Sequence, residues 1–404
     1  MMNWFQFTRL IHSIYRNNKK LPDLDWIQQQ GLLAVKIGQI HALRIDFLDK
    51  DKCIHLAKLY RQAYSLPPQS FNALLSTYTP DNYRANFETI DDIPLASASV
   101  GQVHLAKLKS GAPVVLKILK KDVRKQFIED VKKVRNLFRL ITFIYPKLKQ
   151  VGDPVGILDD IEKYTLSELD LRHEVAGQTI LRDIHKNNCD RFDLSKLRFV
   201  HVYDSLSNEN VMVSEFVEGK TFDELLENNL LRYEELLELF HVHGFYLFVA
   251  GIFHGDIHPG NVILHDGYLY FIDTGYIGRV GDKIRKGLFQ FFNSLCEYHY
   301  QDCAMALNSM SEQKIEGHDY SVFQDKFIDL YSDFTDKTVS QVSLTKKMME
   351  TIKLGVNSGM VFDKGIFAII RSLMYLDGMV LRCKPDAILL KDMRAFINEF
   401  KSLV

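Results

Sequence analysis

The sequence predicts an α+β fold in two lobes: a small antiparallel β-sheet lobe, then a mainly helical lobe, with a helical extension in front. Three observations predict it. Apolar residues recur at helical spacing up to about residue 80, short alternating runs set in at Ile90 and end at Phe216, and beyond Asp273 the helical spacing returns. Residues 1–80 are therefore assigned to the extension, 81–217 to the sheet-bearing lobe and 218–404 to the helical lobe, with Glu218-Gly219-Lys220 as connector. A chain of 404 residues has ample length to bury such a core.

The totals narrow the function. A net charge of −1 lacks the basic excess of a nucleic-acid binder, so no nucleic-acid partner is expected. Cys53, Cys189, Cys296, Cys303 and Cys383 are scattered without a Cys-x-x-Cys pair, which implies neither a zinc site nor a disulfide framework and suggests a reduced, cytoplasmic setting. No run of about 18 uncharged apolar residues is present, so no spanning helix is expected and any membrane contact would be peripheral.

From the N-terminus, Trp4, Phe7, Ile11, Ile14 and Tyr15 fall at helical spacing among Arg9, Arg16, Lys19 and Lys20. Such a helix either packs its aromatic face on the fold or lies on an anionic membrane surface. A second helical region, Leu24 to about Phe47, carries Lys36 and Gln39 at i, i+3 around Gly38, two polar groups that are costly to bury without partners. Residues 49–62 read as a helix, and Leu66-Pro67-Pro68 ends it before another helix over Ser70 to Tyr78.

Next, Pro94 to Ala106 reads as a strand, a loop of small residues (Ala96, Ser97, Ala98, Ser99) and a strand; Lys109-Ser110-Gly111 is the turn into Pro113–Ile118. Small side chains let backbone N–H groups approach phosphate oxygens. Lys117, mid-strand among apolar neighbours, can serve phosphates only if a carboxylate holds its ammonium. Lys120 to Pro154 reads as one long helix, basic at its start. On a helix over Ser167 to Leu181, Asp170 and Glu174 share a side at i, i+4 with Glu168 slightly off it, which makes them candidate partners for Lys36 and Lys117. Strands are expected at Arg198–Tyr203 and Asn210–Phe216, and no strand after Asp273.

The richest stretch is His254-Gly255-Asp256-Ile257-His258-Pro259-Gly260-Asn261, followed by two short apolar strands turning at Asp266-Gly267 and then Ile272-Asp273-Thr274-Gly275. Phosphoryl transfer needs a carboxylate near the acceptor hydroxyl and oxygen ligands that hold Mg²⁺ on the phosphates. Asp256, Asn261 and Asp273 come in the order of a kinase catalytic loop, hairpin and metal-binding turn, so the two-lobed fold is expected to be protein-kinase-like.

Seven motifs in order resemble the UbiB family of atypical, protein-kinase-like proteins: Lys36-Ile37-Gly38-Gln39, Ala96 to His104, Val115-Leu116-Lys117, Glu168-Leu169-Asp170 with Glu174, Glu215 to Gly219, His254 to Asn261, and Asp273-Thr274-Gly275. The resemblance implies binding of ATP and Mg²⁺. It implies that Lys117 and Glu174 are the phosphate-binding lysine and its helix glutamate, Asp256 the acceptor-side carboxylate, and Asn261 and Asp273 the metal ligands. The small-residue loop would cover the phosphates, and the backbone of Glu215 and Val217 would reach adenine with Ser214 behind it. Lys36 and Gln39 would gate the acceptor site and pair with the Glu168 and Asp170 motif. Ser97 stands where the family often has alanine, and Asp-Thr-Gly replaces the commoner Asp-Phe-Gly. Members often carry C-terminal membrane helices or a mitochondrial leader, and this sequence shows neither. An active kinase or ATPase on a small or lipid-like molecule of ubiquinone or isoprenoid metabolism is the first expectation; a nucleotide-binding regulator or scaffold, and a true protein kinase, are the alternatives.

Overall fold

A computed structural model describes residues 3–16, 20–42, 48–60, 65–121, 123–144, 154–363 and 365–402. The helix ends expected at 43–47 and 61–62, the last part of the long helix expected over Lys120 to Pro154, at 145–153, and Lys19 lie outside these residues. The described strands are, in chain order, β1 (Phe87–Ile90), β2 (Ala96–Ser97), β3 (Gly101–Leu108), β4 (Pro113–Leu119), β5 (Leu197–Arg198), β6 (Val211–Glu215), β7 (Lys220–Thr221), β8 (Ile252–His254), β9 (Val262–His265), β10 (Tyr268–Phe271) and β11 (Ile277–Arg279). The fold is two-lobed and kinase-like. The chain forms two compact units, Met1–Thr179 with Val200–Val217, and Ile180–Phe199 with Glu218–Val404.

The first unit begins with helix α1 (Trp4–Tyr15), whose free N–H groups are met by a capping box between Asn3 and Gln6. Phe7, Leu10 and Ile14 are buried, with Phe7 edge-on to Phe138, while Trp4 and Phe5 face solvent. The next helical region is two helices, α2 (Leu24–Gln29) and α3 (Leu32–Ala42), because Gly31 adopts φ +101°, which only glycine takes cheaply. Every residue of α3 from Leu32 to Gln39 is buried, so Lys36 and Gln39 sit inside rather than on a wet edge. After α4 (Lys50–Ala57) comes α5 (Pro68–Tyr78), with Pro68 in the first turn, where its missing N–H costs nothing.

The sheet of this unit runs β1-β3-β4-β6, with β2 sharing the β3 edge beyond β1. Alternation along β4 sends Val114, Leu116 and Ile118 into a core with Val211 and Val213 of β6 and Phe71, Leu74 and Leu75 of α5. Val115 and Lys117 consequently emerge on the opposite face. Beyond the sheet come α6 (Val123–Ile144) and α7 (Pro154–Glu168), and one expectation is corrected there. The helix expected over Ser167–Leu181 is broken at Leu169–Leu171, because the Asp170 carboxylate accepts the Arg172 N–H at 3.1 Å and starts a new helix, α8 (Arg172–Asn188).

The strand expected at Arg198–Tyr203 is also shorter. Only Leu197–Arg198 forms a strand, in parallel with β10 of the second unit, and Val202 makes one isolated bridge to Ser214 before a 3₁₀ turn at Asp204–Leu206. In the second unit β5, β10, β9 and β7 form one sheet in that order, and β8 pairs with β11. Strand β11 contradicts the expectation of no strand after Asp273. Three residues with Gly278 at their centre are too short to alternate visibly, and that glycine is required because a Cβ there would lie 2.4 Å from the Phe253 ring. Helices Phe222–Glu227, Tyr233–Gly244, Asp282–Cys296, Tyr300–Met310, Gly317–Tyr331, Leu344–Asn357, Gly365–Cys383 and Leu389–Phe400 belong to the same unit. Among the described residues no helix is long and apolar enough to cross a membrane.

Candidate functional site

In the first unit the period-2 geometry that buries Leu116 and Ile118 turns Lys117 toward α8, and its Nζ lies 2.5 Å from Glu174 Oε2. Glu174 sits in the first turn of α8, where the helix dipole favours a carboxylate. The small-residue loop is a tight hairpin. Ala96 pairs with Val103 and Ser97 with Gln102, and the Ala98 N–H donates to Gly101 O at 2.8 Å, leaving Ser99 and Val100 as a two-residue tip. A Cβ on Gly101 would come within 2.6 Å of the Ile118 carbonyl, so β3 can approach β4 this closely only with glycine.

Lys36 Nζ lies 2.6 Å from Glu168 Oε2 and above the Tyr164 ring. Gln39 is directed elsewhere: its Nε2 donates to Leu59 O at 3.0 Å, while Tyr60 Oη donates to its backbone carbonyl. Asp170 also departs from the expected grouping. It forms a fork with Arg172 at 2.9 and 2.6 Å, and that guanidinium holds its carboxyl below the usual carboxylate range. Of the acidic cluster, then, Glu168 faces Lys36, Glu174 faces Lys117, and Asp170 shapes the chain break between them. Ser214 is buried in β6, and the Glu215 N–H donates to His201 O at 2.8 Å; Val217 is the last residue of the unit.

Sequence reading treated Gln102 and His104 only as motif letters. The structure gives them a chain of bonds: Leu66 N–H donates to Gln102 Oε1 at 2.8 Å, Gln102 Nε2 meets His104 Nε2 at 2.6 Å, and His104 Nδ1 meets Asp91 O at 2.7 Å. The arrangement is satisfied when His104 is neutral with its proton on Nδ1, and burial lowers its pKa accordingly.

In the second unit β8 and β11 pair His254 with Ile277, and the ladder continues through Gly255 N–H to Tyr276 O at 2.9 Å. This brings the Asp256 loop alongside Asp273-Thr274-Gly275. The β9–β10 hairpin does the rest: Val262 faces Phe271, and Ile272 N–H donates to Asn261 O at 3.1 Å, one residue before Asp273. Asn261 Nδ2 donates to Asp256 O at 3.0 Å and approaches Asp256 Oδ2 at 3.4 Å, which fixes the amide with its nitrogen toward Asp256. His254, buried beneath, accepts the Asp256 N–H on Nδ1 at 3.2 Å; burial lowers its pKa, and the carboxylates of Asp256 and Asp273 both oppose that shift. Among the described residues no group of three or more His, Cys, Asp and Glu is placed to hold a metal.

A family model for the ABC1 atypical kinase-like domain matches residues 58–307, more than half of the chain. The chain belongs to this ABC1/UbiB family of atypical kinase-like proteins. A probable protein kinase UbiB from Glaesserella parasuis is 25% identical over 93% of this chain and 69% of its own length. An uncharacterized protein from the hydrogenase 1 5′ region of Clostridium pasteurianum is 24% identical over 96% of this chain and 72% of its own. A solved structure, the Rv3197–erythromycin complex from Mycobacterium tuberculosis, shares the fold with a TM-score of 0.56 and 20% identity, over 93% of this chain and 92% of that one.

Two further residues support the His-Gly-Asp turn of this UbiB-family chain. Gly255 lies flat under Tyr276, whose ring a Cβ would overlap at 1.9 Å, and Arg371 Nη2 donates to Gly255 O at 3.1 Å. Arg371 was findable: it is a single charge inside the apolar run Ile366 to Leu376. Behind the turn lies His243, whose pKa burial pushes down to about 3, helped by nearby His254. Between that value and the ordinary value of about 6.5 the unfolded chain binds the extra proton, so stability is fully present above 6.5 and declines as pH falls. Urea denaturation should show a loss of up to about 1.4 kcal/mol per pH unit below that point, reduced in His243→Gln; profiles of equal slope for the two proteins would contradict it.

Proposed function

We propose that this chain binds ATP with Mg²⁺ and works as a UbiB-type atypical kinase or ATPase. The observation that carries the reading is the part-buried Lys117–Glu174 pair, 2.5 Å apart on the non-core face of β4. A carboxylate that holds an ammonium on the non-core face of a strand orients it as the phosphate-binding lysine of a kinase-like fold is oriented. Beneath the small-residue hairpin of Ala96, Ser97, Ala98 and Ser99, backbone N–H groups would meet the phosphates. Glu215 through its carbonyl, and Val217 through its backbone, would meet adenine. Asp256 would accept the proton of the acceptor hydroxyl or water.

Asn261 and Asp273 fit Mg²⁺. The amide nitrogen of Asn261 is turned to Asp256, so the oxygen is the atom it offers, and Asp273 adds a carboxylate. When bound with ATP, the ion would neutralise charge on the β- and γ-phosphates. Lys36 and Gln39, held within the first unit, would act as the gating motif. The acceptor we propose is a small or lipid-like molecule, linked to ubiquinone or isoprenoid metabolism through the UbiB relatives. Exposed Trp4 and Phe5 beside Arg9 support peripheral contact with a membrane. A nucleotide-binding regulator is the second reading, favoured by the rigid burial of Lys36.

An ATP acyl-phosphate tests the proposal. Its acyl group passes to a lysine amine held near the phosphates, forming an amide and releasing ATP. Lys117 should be the lysine whose labelling Mg-ATP blocks; labelling confined to surface lysines and indifferent to Mg-ATP would overturn the reading.

A further inference from the structure

Lys120, the residue after β4, has no part in the roles above, yet it is attached to the small-residue hairpin at three points. Its backbone N–H donates to Val100 O at 2.9 Å, and its ammonium donates to Ala98 O at 2.7 Å and to Ser97 Oγ at 3.2 Å. Burial pulls the pKa of this ammonium down to about 8, so the charge is held in a partly dry place where oxygen partners matter. The close approach of Gly101 to the Ile118 carbonyl presses the same hairpin against the same strand end. Ser97 supplies a hydroxyl that alanine would lack.

We propose that Lys120 is a positioning residue, whose ammonium latches the tip of the β2–β3 hairpin to the end of β4 and so holds the tip's backbone in place to receive a nucleotide's phosphates. A loop fixed in advance loses less freedom when it binds, which stands in for the freedom that a glycine-rich loop would have to give up. The inference rests on the nucleotide reading for its purpose, though the latch itself can be measured without nucleotide.

Hydrogen exchange of the full chain, read on peptides covering Ala98, should quicken about tenfold in Lys120→Met, with peptides from the middle of β3 and β4 unchanged. Lys120→Arg should keep exchange within about twofold of the parent. Ser97→Ala should give a smaller rise, and none on top of Lys120→Met. Mg-ATP affinity should fall about tenfold in Lys120→Met and recover in Lys120→Arg. Unchanged exchange in Lys120→Met, or a full Ser97→Ala effect added to it, overturns the latch. A parent chain that binds Mg-ATP measurably, with Lys120→Met binding it equally well, also overturns the latch, whereas a parent with the expected exchange pattern and no affinity for Mg-ATP overturns the nucleotide reading instead.

Discussion

Replacing Asp256 by asparagine should lower Mg-dependent phosphate release by about 10²- to 10⁴-fold while leaving Mg-ATP affinity within about threefold. The substitution keeps the size and most hydrogen bonds of the side chain. Asn261 Nδ2 can still donate to the backbone carbonyl of residue 256, the shorter of its two contacts there, so the loop should hold its shape. What disappears is the basic oxygen. An enzyme that moves a proton from its acceptor needs that oxygen, whereas a protein that only senses nucleotide does not. Equal turnover in parent and variant would decide for the nucleotide-binding regulator.

Lys36→Met should destabilise the protein by about 3–5 kcal/mol. The side chains of Lys36 and Glu168 are only 6% and 11% exposed, so removing the ammonium takes a cation from a carboxylate in a place with little water. Methionine fills the volume, which separates loss of charge from loss of packing. Adding Glu168→Met should restore most of the loss, because an apolar pair of similar size replaces a buried ion pair at little net cost. Chemical denaturation would measure it. A Lys36→Met variant within about 1 kcal/mol of the parent would mean that the pair is solvated and gives α3 no anchorage.

Much of this was readable in the residues, for physical reasons that also explain the failures. The hairpin over Pro94–Ile118 was legible because alternation, a Lys-Ser-Gly turn and a run of small residues agree with one another. The need of Lys36 and Lys117 for buried carboxylates was legible as a cost. Which carboxylate serves which lysine was not, since it depends on the break at Asp170, and helical periodicity reads straight through a residue whose own side chain caps the next helix. Strand β11 and the support of Gly255 by Tyr276 and Arg371 were hidden for a different reason. They depend on contacts between segments far apart in sequence, and a three-residue strand has no period to detect. The resemblance to the UbiB family supplied the order of the motifs, while the pairing of Asp170 with Arg172 and of Gln39 with Leu59 came only from coordinates.

We propose that Asn261 and Asp273 hold Mg²⁺ and that Lys117 meets the phosphates of ATP. Calorimetric titration of the full chain with ATP, with and without Mg²⁺, tests it most directly. The account predicts saturable binding at one site that requires Mg²⁺ and weakens at least about tenfold in both Asp273→Asn and Lys117→Met. Absence of binding at millimolar ATP, or variants that titrate like the parent, would contradict it.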